Sequence, residues 1–86
     1  MVFRLREGTA VWREVDGEAV VLDVDAAEYL AANATGTLLW RAMATGATRG
    51  QLAAALSDAY GIDAAEAAQD VDDFVVDCRG RGFLED

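Results

Sequence analysis

LDVDAAEYLAANATG, residues 22–36, is the stretch on which the fold turns. It reads as the end of one strand, a turn at Asp25-Ala26-Ala27, a third short strand at residues 28–32, and the cap of a helix. Asn33 or Thr35 can accept a hydrogen bond from the backbone N–H groups that a helix start leaves without partners. A sheet therefore gives way to helix here, within a few residues.

Outward from this stretch the pattern is consistent. Upstream, residues 9–15 (TAVWREV) alternate, with Val11, Arg13 and Val15 on one face and Trp12 and Glu14 on the other. That period, with β-branched and aromatic residues, favours a strand. Asp16-Gly17 is a two-residue hairpin signal, since both residues tolerate positive φ. Residues 18–24 (EAVVLDV) return as the second strand. The alternating VFRLR at residues 2–6 has strand character as well.

Downstream, the period changes to that of helices. Leu38, Leu39, Trp40, Ala42 and Met43 follow the cap, and Gly46 is expected to end this helix in a left-handed conformation. Thr48 and Gln51 have the spacing of a capping box. Leu52, Leu56 and Ala59 share one face of a second helix that stops at Gly61. Asp63 and Glu66 suit the start of a third, which runs to about Arg79. Its expected core stripe is Ala64, Ala67, Val71, Phe74, Val75 and Cys78. Gly80 and Gly82 end it, and Phe83 and Leu84 close the core. The expected architecture is α+β: a winged helix-turn-helix with an N-terminal three-stranded antiparallel sheet packed on a three-helix bundle.

Eighty-six residues make one domain, spanning 1–86. No apolar run is long enough for a membrane helix, and the charged start MVFRLREG lacks the apolar core of a secretory signal. A lone cysteine, Cys78, fits a reducing compartment. A cytoplasmic protein with no membrane partner is expected.

Charge narrows the partners. The net charge is -9, and the last third carries Glu66, Asp70, Asp72, Asp73, Asp77, Glu85 and Asp86. Such a field repels phosphate backbones, so no nucleic-acid partner is expected, although a winged-helix transcription regulator is the alternative that the fold suggests. The last helix presents aspartates where a recognition helix would offer arginine, lysine, asparagine or glutamine.

The residues do not support an enzyme or a bound cofactor. There is no histidine, no nucleophile beside an identifiable base, and no glycine-rich phosphate loop. Asp70, Asp73 and Asp77 lie along one helix flank, a pattern that fits a solvated face better than a cation site.

Val76 is less easily explained. It lies about 140° around the helix from Val71, off the core stripe, among Ala65, Asp72 and Arg79. Beside an open strand edge, this face can form one wall of a groove in which a peptide adds a strand to the sheet.

The elements in order resemble a known family. VWREVDGEAVVLDVDAAEYLAANATGTLLW, followed by GATRGQLAAALSDAYGIDAAEAAQDVDDFVVDCRGRGFLED, is similar to the PqqD-like family, the recognition elements of ribosomally made, post-translationally modified peptides (RiPPs). The shared features include the DGEAVVLD hairpin, the tyrosine in the third strand and the asparagine opening the first helix. The tryptophan within that helix, the T..QL...L...Y helix and the glycine–aromatic–leucine end complete the set. The resemblance covers residues 9–84. Two positions depart from it: Ala27 stands where the family commonly has glycine, and Ala32 where leucine is usual.

The resemblance implies a non-catalytic domain that binds the leader of a precursor peptide as an added strand. The docking strand would be Glu28, Tyr29, Leu30, Ala31 and Ala32. Asp72, Val75, Val76 and Arg79 would form the helix wall. The alanine-rich NATGTLLW style is similar to stand-alone recognition proteins of lasso-peptide clusters. That similarity implies delivery of the leader to a leader peptidase. The alternative is a radical SAM peptide-modifying enzyme as partner, as in pyrroloquinoline quinone biosynthesis.

Overall fold

The computed structural model describes residues 1–85; Asp86, last of the acidic residues in the sequence, lies outside them. In chain order the elements are β1 (Val2–Phe3), β2 (Ala10–Val15), β3 (Glu18–Asp23), β4 (Glu28–Ala31), α1 (Ala34–Thr45), β5 (Ala47–Thr48), α2 (Arg49–Tyr60) and α3 (Ala64–Gly80). The strands β2, β3 and β4 form an antiparallel sheet in that order. With the three helices they make the expected α+β winged helix-turn-helix.

The hairpin forms as its sequence dictates. Asp16 and Gly17 both take positive φ, 53° and 80°, which matches the twist of the strands they join. Val15 faces Glu18, and the register runs back to Ala10 opposite Asp23. Period-two alternation then sorts the side chains. Trp12, Ala19 and Val21 turn toward the helices, while Val11 and Val15 lie exposed on the outer face.

The next turn is tighter than its composition suggests. Asp23, itself buried, accepts the Ala26 N–H with its carboxylate at 3.2 Å. Ala27 then adopts φ 55°, a left-handed conformation that costs an L-residue about 1–2 kcal/mol.

Each helix starts on a cap. Asn33 accepts the Gly36 N–H at 2.8 Å, so Asn33 rather than Thr35 opens α1. Thr48 and Gln51 complete both halves of the capping box, and Asp63 accepts the Glu66 N–H at 2.8 Å. Gly61 ends α2 in the left-handed region. Gly46 differs from expectation: its φ is 96° but its ψ is 127°. The chain leaves α1 extended because it runs directly into β5, which pairs with β1.

That small sheet gives the N-terminal segment its place. Val2 faces Thr48 and Phe3 faces Ala47. Leu5 then bridges Leu84, so the chain's first residues close over its last.

The core is Ala19 and Val21 from β3, Leu39, Trp40 and Met43 from α1, Ala47 from β5, Leu52 and Leu56 from α2, and Ala67, Val71, Val75 and Cys78 from α3, with Phe83 and Leu84. Leu38, Ala42 and Phe74 of the expected stripes are half-buried and pack against this core, and two further positions are exposed. Ala59 is exposed, and the half-buried Ile62, after the turn at Gly61, packs on the core at that end. Ala64 is exposed as the first residue of α3.

Candidate functional site

β4 is an edge strand: β3 occupies one side of it, and among the described residues no strand occupies the other. Its register with β3 places Tyr29 opposite Leu22 and Leu30 opposite Val21. Alternation sends Tyr29 to the outer face and Leu30 inward.

Facing Leu30 across a gap is α3. The wall it presents is Phe74, Asp77, Cys78 and Arg81 from α3 and its C-cap, the i, i+3, i+4, i+7 set of one helix face. The hollow between strand and helix holds about 200 Å³, with Val21, Trp40 and Phe83 beneath. It is an apolar slot with one ion pair, Asp77 with Arg81 at 3.4 Å, on its helix side.

The floor is rigid. Trp40 meets Phe83 edge-to-face at 5.5 Å and Trp12 at 6.0 Å between ring centroids. Such pairs are worth about 0.5–1.5 kcal/mol beyond the area they bury. The indole N–H of Trp40 is buried without a hydrogen-bond partner among the described residues.

Thr37 positions the strand's end. Its buried hydroxyl accepts the Ala19 N–H at 2.8 Å and lies 3.4 Å from the Ala32 carbonyl oxygen, to which it donates. One side chain on α1 thereby ties β3 to the exit of β4. Ala32 lies past the strand but still donates its N–H to Ala19 O at 2.9 Å.

Cys78 contributes shape and no chemistry. Burial, with a smaller contribution from Asp77, pushes its thiol up to about 12, so it remains protonated at neutral pH. Among the described residues no group of three metal-ligating side chains converges, Asp70, Asp73 and Asp77 included. No helix among those residues is long and apolar enough to cross a membrane.

The residues expected from sequence divide. Leu30, Ala31 and Ala32 line the slot, and Glu28 and Tyr29 belong to the same edge strand. The expected helix residues lie elsewhere. Asp72 takes a two-pronged contact from Arg49 on α2, at 2.7 and 2.8 Å, and this holds its carboxyl below the usual carboxylate range. Val75 is buried in the core. Arg79 places its guanidinium 5.7 Å from the centre of the Phe3 ring. Val76 is 68% exposed, on the same side as Asp72 and Arg79. By helical geometry, these three point about half a turn away from Phe74.

The reason is the width of the α3 stripe. Ala67, Val71 and Val75 face only the core, while Cys78, also a core residue, and the half-buried Phe74 line the slot as well. In sequence both groups look like one buried face. Asp77 and Arg81, polar neighbours of Phe74 and Cys78 at helical spacing, were the available signal.

The sheet's other edge, β2, lies beside the chain itself. Residues 4–8 cross there, and Trp12, Trp40 and the N-terminal segment enclose a separate hollow of about 340 Å³. Backbone hydrogen bonds hold that segment: Arg6 N–H to Phe83 O at 2.7 Å and Glu85 N–H to Arg4 O at 2.9 Å. Among the described residues β4 has no such cover.

These features define a winged-helix domain with an apolar slot beside the open edge of its sheet. Residues 18–84 match the family model of coenzyme PQQ synthesis protein D (PqqD); the chain belongs to the PqqD family. Among solved structures it is similar to a lasso peptide synthetase B1 complexed with the leader peptide. That match has 25% identity and a TM-score of 0.84 and covers 98% of both chains. It shares the fold of TbiB1 in complex with the TbiA(beta) leader peptide, at 22% identity and a TM-score of 0.86, over 95% of this chain and 94% of that one. A comparison with curated proteins found no match.

Proposed function

We propose that this protein binds the leader segment of a ribosomally made precursor peptide and delivers it to a leader peptidase in lasso-peptide maturation. The observation that carries the reading is the open edge of β4 facing an apolar slot against α3. A peptide laid along that edge gains backbone hydrogen bonds there. Its alternate side chains enter the slot beside Leu30, Phe74 and Trp40. The similar lasso peptide synthetase B1, complexed with its leader peptide, supports this choice of guest.

The domain acts by binding. Holding the precursor at its enzyme raises the local concentration of the cleavage site without any chemistry in the domain. Delivery needs a second surface, and the sheet's outer face is suited to it. Val11 is 63% exposed and Tyr29 76%, with Val15 and Val24 exposed beside them. An apolar face of this kind on a chain of net charge -9 favours an apolar partner with a basic rim over a second copy of itself.

The family match favours one other reading. The family description names coenzyme PQQ synthesis, which supports a radical SAM enzyme as recipient of the bound peptide. The slot serves either recipient in the same way.

Fluorescence polarisation with labelled leader peptides, taken from the precursor genes encoded beside this one, tests the binding. Saturable binding that Leu30→Lys abolishes is the expected result. Failure of every such peptide to bind overturns the reading. Cleavage of the bound precursor by a neighbouring peptidase, or its modification by a radical enzyme, separates the two recipients.

A further inference from the structure

We propose that the slot continues beyond the end of β4 into a subsite for a basic residue of the bound peptide, located on the N-terminal side of the segment that pairs with β4. This rests on the peptide-binding reading above and specifies the chemistry of its guest.

A second hollow, of about 470 Å³, adjoins the first and shares Ala32, Phe74 and Asp77 with it. It differs in character. Leu39 and Leu56 contribute apolar lining, while the helix side carries Asp70, Asp73 and Asp77. Asp77 shares Arg81, and Asp73 accepts an amide N–H from Gln69 at 3.0 Å. Among the described residues no arginine pairs with Asp70 or Asp73, and the chain contains no lysine.

Carboxylates three and four residues apart on one helix repel each other. An incoming cation relieves that repulsion. The stem of a lysine or arginine can lie along the Phe74 ring while its head reaches the carboxylates. An apolar slot that opens into an anionic one thus selects a peptide with a basic residue next to its apolar anchors.

The sheet supplies the direction. Both strand pairs in it are antiparallel, and a peptide continuing that pattern runs opposite to β4. The acidic hollow lies at the Ala32 end, where such a peptide enters. Its basic residue therefore precedes the pairing segment.

The test uses a leader peptide that binds in the polarisation assay, made in three forms. One carries Lys-Lys on its N-terminal side, one Ala-Ala there, and one Lys-Lys on its C-terminal side. The expected result is binding of the first form about five-fold tighter than the second at low salt. The gain should vanish at roughly 0.5 M salt, where the screening length falls to a few ångströms. It should also vanish in the double variant Asp70→Asn/Asp73→Asn, whose exposed positions leave the core untouched. Equal binding of the lysine and alanine forms overturns the proposal. So does a gain that survives in the double variant or that comes only from the C-terminal lysines. In those cases the alanine form still binds, and the peptide-binding reading stands. If no form binds, both fall.

Discussion

Tyr29 and Leu30 are consecutive residues of one edge strand, yet they serve opposite faces. Tyr29 stands 76% exposed on the outside of the sheet, while Leu30 is half-buried and lines the slot against α3. Two substitutions one residue apart should therefore separate two activities. Leu30→Lys should weaken leader binding at least ten-fold in fluorescence polarisation, since it places a charge in an apolar slot. Tyr29→Ser, alone or with Val11→Ser, should leave that affinity within about two-fold and slow cleavage by the proposed partner peptidase. Equal effects of both changes on binding would refute this division of labour.

Thr37 is expected to matter more for stability than its size suggests. Thr37→Val keeps the shape but strips the Ala19 N–H of its acceptor inside the core. A buried donor left unpaired costs about 1–3 kcal/mol. Urea unfolding should show that loss, and leader affinity should fall too, because the same hydroxyl reaches the Ala32 carbonyl at the end of β4.

Ala27 offers the opposite case. At φ 55° it holds a conformation that glycine adopts freely, and glycine is common at this turn in the family it resembles. Ala27→Gly should stabilise the domain by roughly 0.5–1 kcal/mol, the relief of strain exceeding the added chain entropy of the unfolded state. Thermal melting should then shift upward by a few degrees. A lower melting temperature would mean that the turn is not strained.

Cys78 provides a pH-dependent test. Its thiol is pushed up to about 12 from an ordinary value of 9.0. The unfolded chain therefore releases this proton first as pH rises, so the thiol's contribution to stability is full below pH 9 and is lost progressively between about 9 and 12. At pH 8 the folded protein should resist a thiol reagent and react only when unfolded. Cys78→Ala should flatten the alkaline loss of stability. Rapid labelling of the native protein at pH 8 would contradict the burial.

Much of this was legible in the residues. The hairpin at Asp16-Gly17, the caps of α2 and α3, and the buried Leu39, Trp40, Met43, Leu52 and Leu56 follow from local chemistry, and local chemistry is what short windows of sequence encode. The edge strand β4 was legible for the same reason, as a short period-two run between a turn and a cap. The helix wall was not. Phe74 and Cys78 carry the same apolar signal as Val71 and Val75, and only the offset between α3 and the sheet edge decides which pair faces a slot. Asp72 and Arg79 looked like free polar neighbours of an exposed valine, whereas Arg49 and Phe3, distant in sequence, engage them. The pairing of β1 with β5 is likewise non-local: two residues on each side, too short to stand out, meet because α1 returns the chain to them.

The meeting of Leu5 with Leu84, and of Arg4 with Glu85, has an architectural consequence. Residues near both ends of the described chain emerge side by side, across the Trp40–Phe83 pair from the edge of β4. A tether attached at either end would start from nearly the same point and leave the β4 slot open. An extension at the front and one at the back are thus equivalent with respect to the open edge of β4.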